Sequence, residues 1–227
     1  MTFGNEIIII ELIGIIAFAI SGAIVAIKRN FDIFGIIVLG VITAVGGGAL
    51  RDIILGVIPP TMFKNSLYVF VAFVTSCISF VAAAVAAVKF KKNQQFFIDV
   101  VNFFDAIGLG IFAVTGTNTA IINGFGNNAF LSVFVGVITG IGGGMLRDIL
   151  AGKAPFVLYK DIYASAAIAG ACIYYYMYTH NVKTSLAVTT TILITILIRL
   201  FASYYHLGLP KIPSVKILTD DTKNNKS

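Results

Sequence analysis

Seven runs of mostly apolar residues, each roughly twenty long, divide the chain at about 6–27, 34–58, 67–88, 97–122, 130–150, 162–178 and 184–205. A helix needs about 20 such residues to cross the hydrocarbon of a bilayer, whereas a barrel strand needs only about 9–11. In lipid the backbone must satisfy its own hydrogen bonds, so runs of this length fold as helices. Composition agrees: 58% of the 227 residues are hydrophobic, 11% are charged, and the mean hydropathy is +0.96. Soluble domains sit near 45–50% apolar and about 25% charged. The reading is an all-α membrane protein with seven transmembrane helices in a single domain over 1–205, followed by a tail over 206–227.

The N-terminal "MTFGNEIIII" carries only Glu6 before its apolar run and lacks the positive segment of a cleaved signal peptide, so the first span is expected to stay. Lys28 and Arg29, then Lys89, Lys91 and Lys92, then Lys153 and Lys160, then Lys211, Lys216, Lys223 and Lys226 fall on one side of the spans, and little beyond Lys64 and Lys183 falls on the other. The positive-inside rule puts the richer side in the cytoplasm, with the N-terminus outside and the tail inside a cell membrane. The net charge of +6 is then a topology signal and a possible attraction to anionic lipid. Strung along separate loops, it makes no compact patch for nucleic acid. Cys77 and Cys172 lie in apolar runs without metal-ligand spacing, and read as buried thiols. No metal or cofactor is expected.

One polar sentence interrupts this chain twice. "GGGALRDIILG" occupies 46–56 and "GGGMLRDILAG" occupies 142–152, 96 residues further on. "ELIG" from Glu11 answers "DAIG" from Asp105, and "FAISG" from Phe18 answers "FAVTG" from Phe112, each 94 residues apart. These are internal repeats, of about 6–90 and 97–180, with two residues added in a loop. Each holds three spans, an odd number, so the second half enters the membrane from the opposite face. Inverted halves of this kind recur in transporters and some channels. The seventh span, about 184–205, has no counterpart and reads as a lipid-facing or subunit-packing helix.

Gly46, Gly47 and Gly48, and Gly142, Gly143 and Gly144, leave the backbone bare in mid-span. Two readings stand: a bend or break facing protein or water, or close packing of helices through small residues. The following Arg-Asp pairs add intramembrane charge, which costs about 2.5–3.5 kcal/mol per residue on insertion scales and normally faces a bundle interior or wet cavity. Arg51 with Asp52, and Arg147 with Asp148, lie roughly 6–8 Å along the axis from their triplets. Glu11 falls in the same membrane half as Arg51, and Asp105 in the same half as Arg147, so the expected pairings are Glu11 with Arg51 and Asp105 with Arg147. Asp52 and Asp148, turned about 100° from their arginines, are expected to cap loops or contact a neighbouring half. Ser21 and Thr115, with Thr43 and Thr139, recur at equivalent places. Their hydroxyls can line an ion route or bond their own helix.

Tyr174, Tyr175, Tyr176 and Tyr178 read as an aromatic anchor of the sixth span at the outer interface. His180 and His206 lie at span ends, and no nucleophile, base and orienting group come together, so no enzyme is expected.

The doubled GGG-x-L-R-D motif in inverted three-span halves, followed by a seventh span, resembles the trimeric intracellular cation channel (TRIC) family in its prokaryotic branch, which overlaps bacterial membrane proteins labelled as glycine transporters. The likeness covers about 6–205. It implies a homotrimer with one pore per subunit, lined by kinked second and fifth spans, that passes potassium and sodium. It also implies that the two glycine triplets are kinks and that Arg51 and Arg147 are basic residues near the pathway. Animal members are associated with an inositol lipid and a Lys-Glu-Val motif beside the first triplet. "GGGALRDIILG" lacks that motif. With no TVGYG-like filter, selectivity among monovalent ions is expected to be modest. The rival reading from the same residues is an alternating-access carrier of a small amino acid such as glycine, with helix ends for the carboxylate and an acid for the ammonium. Neither reading requires an obligatory protein partner.

Overall fold

A computed structural model of the chain describes residues 2–89, 94–158 and 162–205. Lys91, Lys92, Lys160, His206 and the tail over 206–227 lie outside the described residues. The chain folds as α1 (Thr2–Lys28), α2 (Ile33–Ile54), a short α3 (Thr61–Lys64), α4 (Leu67–Lys89), α5 (Gln94–Ala120), α6 (Ala129–Leu150), α7 (Tyr163–Thr179) and α8 (Thr184–Tyr204). No strand occurs among the described residues. Six of these helices are long and apolar enough to cross a membrane. The sixth apolar run gives α7, only 17 residues long, which rises about 25 Å and sits at the short end of the spanning range.

The beginnings and ends of the two motif helices follow from local chemistry. Asp32 caps α2 by accepting from Gly35 N–H at 2.7 Å, and Asn128 caps α6 by accepting from Leu131 N–H at 3.0 Å. At the far ends, Gly56 (φ 71°) and Gly152 (φ 66°) take the left-handed conformation. Their N–H groups return to Ile53 and Ile149, while Val57 and Lys153 N–H return to the Asp52 and Asp148 carbonyls. This paired pattern is the Schellman stop, which glycine adopts most readily and which Asn30 and Asn181 repeat at the ends of α1 and α7. The last glycine of each repeated sentence therefore terminates the helix.

At the centre α1 packs on α2 and α5, α5 on α6, and α2 on α6. Helix α4 covers α1 and α2, α7 covers α5 and α6, and α8 lies against α5 and α7. Arg29 Nη2 donates to the Gly152 carbonyl at 3.1 Å, which brings the C-terminal ends of α1 and α6 to one face. Large apolar side chains such as Phe34, Phe70, Phe130 and Leu197 point outward, as a lipid-facing surface requires. Cys77 is half-buried and Cys172 exposed, so the expectation of buried thiols is corrected: on helices wrapped by lipid, an apolar run turns much of its circumference outward.

Both motif helices stay α-helical through their glycine triplets, so of the two readings close packing is the one seen in this state. The triplets form the crossing of α2 and α6. A Cβ on Gly47 would run into the Thr139 carbonyl, and one on Gly143 would run into the Thr43 carbonyl. Small residues let the two backbones touch.

Candidate functional site

Two clusters of buried charge are built by the same residues in each half. In the first, Arg51 Nη1 donates to Glu11 Oε1 at 3.1 Å and Nε donates to Asp52 Oδ1 at 2.8 Å. In the second, Arg147 Nη1 donates to Asp105 Oδ1 at 2.5 Å and Nε donates to Asp148 Oδ1 at 2.9 Å. The expected pairings of Glu11 with Arg51 and Asp105 with Arg147 are both present. Each arginine lies in the last turn of its helix, where the C-terminal carbonyls favour a cation.

Asp52 and Asp148 do more than expected. Besides holding their own arginines, they accept from the loops that follow, Thr61 N–H to Asp52 Oδ2 at 2.6 Å and Phe156 N–H to Asp148 Oδ2 at 2.9 Å. The turn of 100° between neighbours did not prevent pairing, because the guanidinium curls back to meet the next side chain. One carboxylate thus ties helix end, arginine and loop together.

The clusters lie at two levels along α1. Glu11 belongs to the first and Ser21 reaches the second, where its Oγ accepts from Arg147 Nη1 at 2.6 Å. Ten residues of helix separate them by about 15 Å. Between them Phe18 meets Phe112 of α5, ring centroids 5.3 Å apart. Gly108 gives Phe18 its seat and Gly14 gives Phe112 its own.

The two clusters differ in access. A cleft with about 30 Å³ open to water centres, room for one or two waters, is lined by Glu11, Arg51, Asp52, Thr61, Tyr68 and Phe112. Arg147 is fully enclosed. Glu11 Oε2 accepts from the Tyr68 hydroxyl at 2.9 Å. Tyr163, the corresponding residue of the second half, lies beside Asp105 without closing that hydrogen bond, and Asp105 Oδ2, Arg147 Nη2 and Tyr163 Oη are buried without partners. Neither tyrosine was singled out in the sequence. The signal was there, since each opens the third long helix of its half 95 residues from the other.

Of the four hydroxyls, Ser21 joins a cluster. Thr43 and Thr139 donate to the Leu39 and Val135 carbonyls of their own helices, both at 2.6 Å, and pack against Gly22 and Gly116. Thr115 Oγ1 is buried without a partner. Arg199, the one charged residue in the last apolar run, is 3% exposed with its guanidinium 5.1 Å from the Tyr163 ring centre. Sequence reasoning passed over it because the last span had no counterpart to compare. Tyr176 and Tyr178 face outward, as the aromatic-anchor reading requires of them. Tyr174 and Tyr175 instead donate inward, to Asn118 Oδ1 and the Gly126 carbonyl, both at 2.8 Å.

The repeated geometry is matched by repeated similarity. A family model described as Glycine transporter matches residues 8–84 and again 102–179. The UPF0126 inner membrane protein YadS of Escherichia coli K12 is 38% identical over 202 residues, 88% of this chain and 93% of that one. Among solved structures, a TRIC trimeric intracellular cation channel orthologue from Rhodobacter sphaeroides superposes with a TM-score of 0.81 at 30% identity, covering 89% of this chain and 100% of that one. A second structure, described as a basis for conductance through TRIC cation channels, gives 0.77 at 37% identity over 95% of this chain and 100% of its own. The chain therefore belongs to the prokaryotic TRIC family, the same membrane-protein family whose sequence model is described as Glycine transporter.

Proposed function

We propose that this protein is a cation channel for potassium and sodium, with one pore in each subunit of a homotrimer. The observation that carries the reading is the superposition on two TRIC channel structures at 30% and 37% identity over nearly the whole chain. In this reading seven spans form two inverted three-helix halves plus α8, with the N-terminus outside and the tail in the cytoplasm.

The route runs along α1, α2, α5 and α6, from the cleft at Glu11 and Arg51 toward the enclosed cluster at Arg147. Phe18 and Phe112 form a hydrophobic constriction between them, of the kind that gates by dewetting. Pairing with carboxylates keeps the arginines from repelling cations. Gating consists of a bend at the triplets of α2 and α6 that loosens an ion pair and parts the two rings. Membrane lipid surrounds each subunit, and the permeant ions are the only small ligands required.

Purified protein in a planar bilayer tests this. Unitary current steps in potassium chloride, with a reversal potential that follows the potassium gradient, support the channel. The family label gives the carrier its own outcome. Saturable glycine counterflow in vesicles, with no unitary currents, would overturn the channel reading.

A further inference from the structure

The two clusters differ in charge as well as access, and the difference comes from the helix that has no counterpart. Glu11 and Asp52 bring two negative charges to one arginine, Arg51, so the first cluster is net negative. Asp105 and Asp148 bring two negative charges to Arg147. Taken alone, that second set would match the first. Helix α8 adds Arg199, which reaches the cluster through Tyr163: its guanidinium stands over the ring whose hydroxyl lies beside Asp105. Arg199 enters none of the four ion pairs among the described residues, and its Nε and Nη2 are buried without partners. Its charge therefore acts on the cluster as a whole.

A buried cation with no acid of its own is costly. Its place on the far side of Tyr163 offsets the surplus negative charge that Asp105 and Asp148 leave after Arg147. Among these four side chains the charge is thereby balanced, with Lys153 and Arg29 adding positive charge farther out beside Asp148 and Gly152, while the first cluster keeps a net negative charge beside an open cleft.

Resting on the channel reading, we propose that Arg199 is a positioning charge that sets the rate and direction of cation passage, by making the Arg147 end a neutral barrier opposite a negative mouth at Glu11. A chain with one negative and one neutral end passes cations unequally in the two directions. Removing the α8 charge leaves each cluster with one surplus negative charge, and removing the Glu11 charge leaves both clusters balanced. Either change abolishes the inequality, with opposite effects on conductance.

Single-channel currents in symmetric potassium chloride test this with wild type, Arg199→Gln, Arg199→Lys and Glu11→Gln. Wild type and Arg199→Lys are expected to rectify alike. Arg199→Gln is expected to lose rectification and conduct more, by at least about twofold, the effect of a unit charge about 10 Å from the passing ion if water alone lay between them. Glu11→Gln is expected to lose rectification and conduct less. Conducting wild type with an Arg199→Gln channel of the same rectification and conductance overturns the inference and leaves the channel reading standing. If Arg199→Gln does not fold, Glu11→Gln decides, and unchanged rectification in it overturns the inference. Wild type that passes no current removes the channel reading and this inference together.

Discussion

At the scale of single residues, burial decides which of the two arginines matters more to stability. Arg147 is fully enclosed with Asp105, Asp148 and Ser21 around it, and truncating it leaves two carboxylates unpaired away from water. Removing one partner of such a buried pair costs about 3–5 kcal/mol. Arg51 faces a cleft that admits water, so Arg51→Ala is expected to lose clearly less. Thermal unfolding of both variants in detergent checks the order. Equal losses would mean that the difference in enclosure is energetically idle. Lys153 offers a second check, outside the spans. Burial first, then Arg29 and Lys28, hold its ammonium below the ordinary value of 10.5, against a smaller pull from Asp148. The folded state thus disfavours the charged form below that depressed value, and the cost fades as pH rises through it toward 10.5. Lys153→Gln is expected to be more stable at neutral pH, by less than about 0.5 kcal/mol for so exposed a group, with the gain vanishing above the ordinary lysine range. A stability gain that persists there would assign it to something other than charge.

At the scale of elements, the glycine triplets are legible in the sequence but ambiguous there, because a bare stretch of helix serves a bend and a crossing equally. Only the partner helix reveals the crossing. Gly47 and Gly143 face carbonyls of the opposing helix, whereas an added methyl on Gly48 would meet nothing nearer than Arg51 Nη2 at 3.8 Å. Gly47→Ala and Gly143→Ala are expected to cost about 1–3 kcal/mol by overpacking. Gly48→Ala is expected to be neutral or stabilising by up to about 1 kcal/mol, the ordinary preference of a helix for alanine. Unfolding midpoints of the three variants distinguish a crossing from a bend. Comparable losses at all three glycines would favour the bend. The Asp32 and Asn128 caps and the terminal Gly56 and Gly152 needed no such partner, since each is local chemistry that the sequence spells directly.

At the scale of the whole molecule, the repeat was the most informative sequence feature. It pairs Glu11 with Arg51 and Asp105 with Arg147 from the sequence alone, because the two halves constrain each other. What lacked a double stayed hidden: Arg199 on α8 had none, and the openness of one cluster against the closure of the other is a property of packing that no local pattern encodes. Tyr68 and Tyr163 were doubled but mute, since a tyrosine at the start of a span is ordinary until its hydroxyl is seen on an acid. These parts join in one claim, that paired charges at two levels along α1 control a shared route. The most direct test is the open probability and potassium-to-sodium reversal potential of single channels carrying Asp105→Asn. Each 1.4 kcal/mol by which the pair is loosened shifts the gating equilibrium about tenfold, and the account predicts a rise in open probability of at least that order with ion selectivity unchanged. An open probability equal to that of wild type would contradict it.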